Sequence, residues 1–205
     1  TLKLRNFYIN NDNRDSGTAK NASYQEEWGQ GFQLDFTSGF TQGTVGFGVD
    51  AIGLLGVRLD SGKGRHGNPD SSNYGGSVFP TDSDGRAVSD FSSLGLTAKA
   101  KISQTELRIG TLQPKLPVIV SNDGRMLPQT FQGGQITSNE FKDLTFIGGQ
   151  IEHAKGRNSS NNEELSIAGA NNARSGEFSN KFLYGGVDYK VNKDLLLQYY
   201  YGNLE

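Results

Sequence analysis

Apolar and polar residues alternate with period two along most of this chain, and amphipathic helical spacing is hard to find. The clearest stretch sets Trp28, Gln30, Phe32, Leu34 and Phe36 on one face and Glu27, Gly29, Gly31, Gln33 and Asp35 on the other. Val45, Phe47, Val49 and Ala51 then oppose Gly46, Gly48 and Asp50. Leu94, Leu96, Ala98, Ala100 and Ile102 oppose Ser93, Gly95, Thr97, Lys99 and Lys101, and after a two-residue turn Leu107 and Ile109 oppose Glu106, Arg108 and Gly110. With 2–10, a weaker stretch at 131–138, and further ones at 143–153, 180–190 and 195–203, the pattern predicts about nine strands and an all-β fold.

The connections narrow the architecture. Short links fall near 38–43, 103–104, 138–142 and 191–194, and long polar ones near 11–23, 58–90, 113–130 and 154–179. They alternate strictly, so every long link comes to one end of an antiparallel meander. A transmembrane up-and-down β-barrel has this plan, with tight periplasmic turns and long external loops. A strand from Trp28 to Phe36 spans roughly 26 Å at about 3.3 Å per residue, which when tilted covers most of the apolar band. Trp28, Phe36, Phe40, Tyr199 and Tyr201 are candidates for the aromatic girdles at the two interfaces. The competing reading is a soluble all-β ligand- or sugar-binding domain with the same apolar face as its core.

Composition changes the picture in three places. Only 34% of residues are hydrophobic, which suits a barrel that needs one apolar residue in two and has long wet loops. Glycine is 28 of 205 residues, roughly twice its usual share, and falls largely on the polar face, where it would leave room for a pore. The 22 acids nearly cancel 20 bases, which argues against nucleic acid as a partner, and the lack of cysteine removes disulfides, thiolate metal sites and Cys nucleophiles. No apolar run of about 18 residues could form a membrane-spanning helix. Nothing at the start reads as a signal peptide, so the expectation is a mature N-terminus.

Particular segments are more specific. Leu4-Arg5-Asn6-Phe7-Tyr8, Thr41 to Ala51, Leu94-Gly95-Leu96-Thr97-Ala98-Lys99, Gly110 to Pro114, Leu127 to Phe131 and Gln135-Ile136-Thr137-Ser138 resemble, in order, the opening strands of the OprD family. The resemblance implies an integral protein of the bacterial outer membrane that admits small carboxylates passively, touches lipid and lipopolysaccharide, uses no cofactor or metal, and is a monomer or weak homotrimer. It also implies a barrel of about 18 strands. Residues 1–205 are then expected to be its N-terminal half, since about nine strands alone would leave two unpaired edges in lipid. Lys115-Leu116-Pro117-Val118 followed by Ser121 to Arg125 is similar to the branch that takes cyclic or aromatic monocarboxylates.

A carboxylate entering a narrow pore sheds water and needs replacement donors, which Arg and Lys supply. If Leu2, Leu4 and the Leu94 to Ile102 row meet lipid, then Arg5, Lys99, Lys101 and Arg108 face the lumen, and they resemble the family's basic ladder. The 113–130 link is the one that folds inward in this family. Pro114, Pro117 and Pro128 stiffen it. Leu116, Val118, Ile119 and Val120 would pack on the wall while Lys115, Asp123 and Arg125 reach the constriction, Arg125 being presented by a turn at Asn122-Asp123-Gly124.

No enzymatic signature accompanies these. His66 and His153 lack a serine elbow. Asp82-Ser83-Asp84-Gly85 and the Asn11 to Asp15 stretch lack the terminal Glu of a calcium loop, and phosphate-loop and dinucleotide fingerprints are missing. Asn21-Ala22-Ser23 and Asn158-Ser159-Ser160 match glycosylation acceptors, which a bacterial protein does not use.

Overall fold

The computed structural model describes residues 1–12, 24–61, 65–66, 77–166 and 178–205. Among the described residues eleven strands are formed: β1 (Leu2–Asp12), β2 (Tyr24–Thr37), β3 (Val45–Asp60), β4 (Asp90–Ile102), β5 (Thr105–Leu112), β6 (Lys115–Leu116), β7 (Ile119–Val120), β8 (Thr130–Ser138), β9 (Leu144–Lys155), β10 (Phe182–Lys190) and β11 (Leu196–Leu204). Nine make one antiparallel sheet in the order β1-β2-β3-β4-β5-β8-β9-β10-β11, a plain meander. The hairpin β6-β7 stands apart, inside the link that follows β5. Most strands run longer than the alternation indicates. β3 continues to Asp60 because Ile52, Leu54 and Gly56 keep the inward side occupied while Leu55 and Leu59 point out. The 58–90 link accordingly shortens to 61–89, and the 11–23 link to 13–23, which lies outside the described residues.

One face of the sheet is apolar and uncovered. Leu2, Leu4, Leu34, Phe36, Phe47, Leu94, Leu96, Ile109, Ile136, Tyr199 and Tyr201 are all exposed. Leu94 keeps 74% of its surface and Tyr199 72%, an uncovered apolar face of the kind that marks a membrane or interaction surface and that the lipid side of a barrel presents. Trp28, Phe36, Tyr199 and Tyr201 stand on this face as expected of girdle residues. Phe40 does not: its ring lies over Lys99 on the opposite face, 4.8 Å from the ammonium.

The core lies on the other face and is built between wall and loops. One cluster joins Ile52, Leu54 and Phe91 of the strands to Val78, Phe79 and Ala87 of link 61–89 and to Met126 and Leu127 of the link between β5 and β8. A second joins Leu112, Phe131, Ile151 and Tyr184 to Leu165, with Leu116, Val118 and Ile119 packed alongside. Val120 stays exposed, unlike its three neighbours. Wall glycines admit these loops: a Cβ on Gly29 would sit 2.5 Å from the Phe79 ring, and one on Gly31 would sit 2.7 Å from the Met126 carbonyl. Their first function is therefore to seat loops rather than to widen an empty bore. Gly110 has a different reason, with φ at +132° and Leu96 O 2.1 Å from where a Cβ would lie.

Candidate functional site: the inner wall and its inward loop

The segment 113–129 is shaped by its own sequence. After Pro114, the β6-β7 hairpin pairs Lys115 with Val120 and Leu116 with Ile119, and Ser121 N–H donates to Pro114 O at 2.7 Å. Asn122 Oδ1 then accepts Gly124 N–H at 3.1 Å, the side-chain-mimicked turn that Asn-Asp-Gly favours. Met126, Leu127 and Pro128 are buried immediately after it. Full burial of such side chains is worth roughly 1.5–3 kcal/mol each, so apolar packing fixes where the segment lies.

Ionic contacts fix how it is aimed. Arg5 Nη1 donates to Asp123 Oδ1 at 2.7 Å and Nη2 to Oδ2 at 3.2 Å, a bidentate fork, while Nη1 also reaches the carbonyls of Asp123 and Arg125. Both side chains are partly exposed, so this pair contributes about 0–1 kcal/mol and serves geometry more than stability. Arg125 is half-buried and its Nη1 donates to the Ser77 carbonyl of link 61–89. Lys115, on the hairpin, is exposed.

Arg157, in the loop after β9, was not singled out by the sequence pattern. Its Nη1 comes within 3.4 Å of a Cβ placed on Gly124. Burial first, and then the like charge of Arg125, hold its guanidinium below the ordinary value. Arg157 thus approaches, from a different loop, the turn that carries Arg125. An isolated Arg in a loop carries no periodicity, so only the folded contact reveals it.

Toward the short-turn end the wall is charged in both signs. Lys3 pairs with Asp35 at 2.9 Å, and Gln33 Nε2 donates to both Asp35 oxygens at 2.8 and 3.0 Å. Asp50 pairs with Lys99 at 2.6 Å and lies 3.7 Å from Arg108, which also bonds Glu106 through Nε. Arg108 stands between two concavities. One, of about 340 Å³, is lined by Lys3, Asp35, Asp50, Thr97 and Gln113; the other, of about 320 Å³, by Lys101, Gln113, Gln135, Thr137 and Asn139. The alternation that nominates Arg5 nominates Lys3 equally, and Asp35 and Asp50 occupy the same face; a search for cations alone passes over the acids that hold them.

Lys99 has surroundings different from those expected of an open lumen cation. Only 2% of its side chain is exposed. The 38–43 link folds over it, Nζ donating to Ser38 O at 2.7 Å and Phe40 covering it. Gly46 and Gly48 make this possible, since side chains there would strike Thr41 O and Gly39 O. Lys101 remains half-buried, 5.9 Å from the Phe40 ring, and lines the second concavity.

The sequence matches the family model for the outer membrane porins of the OprD family over residues 1–205. The chain belongs to the OprD family. A porin-like protein of Pseudomonas putida, GalP, is 40% identical over 206 residues, covering 100% of this chain and 47% of its own. The crystal structure of OccK8 (OprE) of Pseudomonas aeruginosa is 63% identical with a TM-score of 0.84, over 100% of this chain and 45% of that one. OpdK of the same organism, solved with vanillate, is 35% identical with a TM-score of 0.81, over 100% and 48%. The chain therefore spans about half the length of these relatives, and the family it belongs to is one of outer membrane porins, channels rather than enzymes. Membership in this family and the uncovered apolar face together displace the soluble ligand- or sugar-binding reading.

His66 and His153 fit this picture without catalytic roles. His66 is buried between Glu27 and Thr81, and His153 lies on β9 opposite Gln132. Asp82 to Gly85 forms a tight turn closed by Gly85 N–H on Asp82 O at 2.9 Å. Of the acceptor-like triplets, Asn21-Ala22-Ser23 lies outside the described residues; so does Lys63, a cation of the 58–90 link.

Proposed function

We propose that residues 1–205 form the N-terminal half of one transmembrane barrel, whose pore admits small carboxylates and favours cyclic or aromatic monocarboxylates. The observation that carries this is the 113–129 segment, packed on the inner side of the sheet through Met126 and Leu127, whose Asn122–Gly124 turn carries Arg125 and is approached by Arg157 from the loop after β9. In the proposed pore, a carboxylate loses water at the external loops, exchanges it for the guanidinium forks of Arg125 and Arg157, and moves past Arg5 toward Arg108 and Lys101. Lys115 attracts it at the mouth. Asp123 keeps Arg5 from becoming a deep trap, because shallow, repeated binding is what permits flux. Lys99 supports this path by holding the 38–43 link rather than by touching solute. Strands following β11 would pair with it and, on closing the barrel, the last of them with β1, since neither edge is tolerable in lipid.

The aromatic preference draws on the Lys115 to Val118 segment and on OpdK having been crystallised with vanillate, an aromatic monocarboxylate. Uptake by liposomes carrying the whole channel tests it. Benzoate-like anions should enter several-fold faster than a cationic amino acid of similar size. Equal rates would reduce the channel to a general diffusion pore.

A further inference from the structure

Glu27 is completely buried on the inner side of β2, although a carboxylate there would ordinarily face a wet lumen. Its Oε2 accepts the backbone N–H groups of Ser77 at 2.6 Å and Val78 at 3.1 Å, and the side-chain amide of Gln25 at 3.2 Å. Its Oε1 accepts the Phe79 N–H at 3.4 Å and meets His66 Nδ1 at 2.9 Å. His66 Nε2 in turn lies 2.8 Å from Thr81 Oγ1. Five donors converge on one wall carboxylate, and all but Gln25 come from link 61–89, so the carboxylate fixes the backbone of residues 77–79 against the wall.

That backbone then touches the constriction loop twice. The Ser77–Val78 peptide, held by the Val78 N–H on Glu27, offers the Ser77 carbonyl to Arg125 Nη1. The Phe79 ring, seated edge-on to Phe91 at 6.1 Å, shares the hollow above Gly29 with the Met126 sulfur. Arg125 and Met126 are adjacent in sequence, so one polar and one apolar contact lead from Glu27 to the same point of the inward loop.

We infer that Glu27 is a positioning residue for Arg125, acting through the Ser77–Val78 peptide to set where that guanidinium stands in the pore. The inference rests on the proposed reading of Arg125 as a lumen contact. It makes residues 77–79 a working part of solute selection. Glu27→Gln keeps the shape but offers one acceptor oxygen in place of two, so the three backbone donors cannot all be satisfied.

The test is reversal potential in a salt gradient, measured on single whole channels for Glu27→Gln, Arg125→Ala and the double variant. Glu27→Gln should lower the anion-to-cation permeability ratio about two-fold, and the double variant should match Arg125→Ala alone, as residues acting through one contact do. The inference is overturned if Arg125→Ala lowers the ratio while Glu27→Gln does not, or if the two losses add in the double variant. If Arg125→Ala itself leaves the ratio unchanged, it is the reading of Arg125 that fails, and this inference goes with it. Should Glu27→Gln not assemble into a folded barrel, His66→Phe loosens the same carboxylate from the loop side. It should lower the ratio in the same direction, and an unchanged ratio counts against Glu27.

Discussion

Lys99 and Arg125 illustrate how little a residue's charge says about its task. Both lie on the inner side of the sheet, yet Lys99 is enclosed by Asp50, Ser38 O and Phe40 while Arg125 stands half-buried between two loops. A buried ion pair broken from one side leaves the other charge stranded, a cost of about 3–5 kcal/mol. Lys99→Met should therefore lower barrel stability by about that amount, read as the midpoint of denaturant unfolding in detergent, whereas Lys101→Met should change it by less than about 1 kcal/mol. Equal losses would mean that the 38–43 link does not depend on Lys99. The alternation puts both lysines on one face; it carries no sign that the seven-residue link 38–44 folds back over one of them. The signal for that is Gly46 and Gly48, whose missing side chains make the space.

At the scale of elements, strands and faces were legible because lipid on one side and loops or water on the other impose a strict period of two. The β6-β7 hairpin and the longer β3 were not, since proline-rich and glycine-rich stretches blur that period. The tight turns bring their own electrostatics. Glu140, between β8 and β9, accepts hydroxyl groups of Ser103 at 2.9 Å and Thr105 at 3.0 Å and the Gln104 N–H at 2.7 Å, tying two neighbouring turns together. These bonds, that from Ser103 foremost, hold its carboxyl below the usual range of a glutamate. A depressed carboxylate stabilises the turn fully above its ordinary value, and the contribution is lost as pH falls through the depressed one. Amide exchange at Gln104 should accordingly lose protection on acidification in the parent channel and be less protected, without that acid dependence, in Glu140→Gln. Identical profiles would show that the two turns are not joined through this carboxylate.

Over the whole molecule, the outer side of the sheet answers to lipid and the inner side answers to its loops. The two hydrophobic clusters lie on the inner face of the sheet, formed where links 61–89 and 113–129 and the loop after β9 press on glycine-lined or apolar wall. This explains a hydrophobic content of 34% in a chain that spans a membrane, and it gives the glycine excess a task in seating loops. It also explains why family and fold could be read from the sequence while the site could be read only in outline. Arg5, Asp123 and Arg125 were nominated by spacing and resemblance, but Arg157 and Glu27 act through loop contacts that no periodicity encodes.

The central claim is that Arg125 of the inward loop, rather than charge distributed over the outer loops, selects carboxylates. Reversal potentials of single whole channels in a salt gradient test it most directly, comparing Arg125→Ala with Lys63→Ala. Arg125→Ala should lower the anion-to-cation permeability ratio several-fold and Lys63→Ala should leave it within experimental scatter. Equal shifts from the two substitutions would contradict the claim.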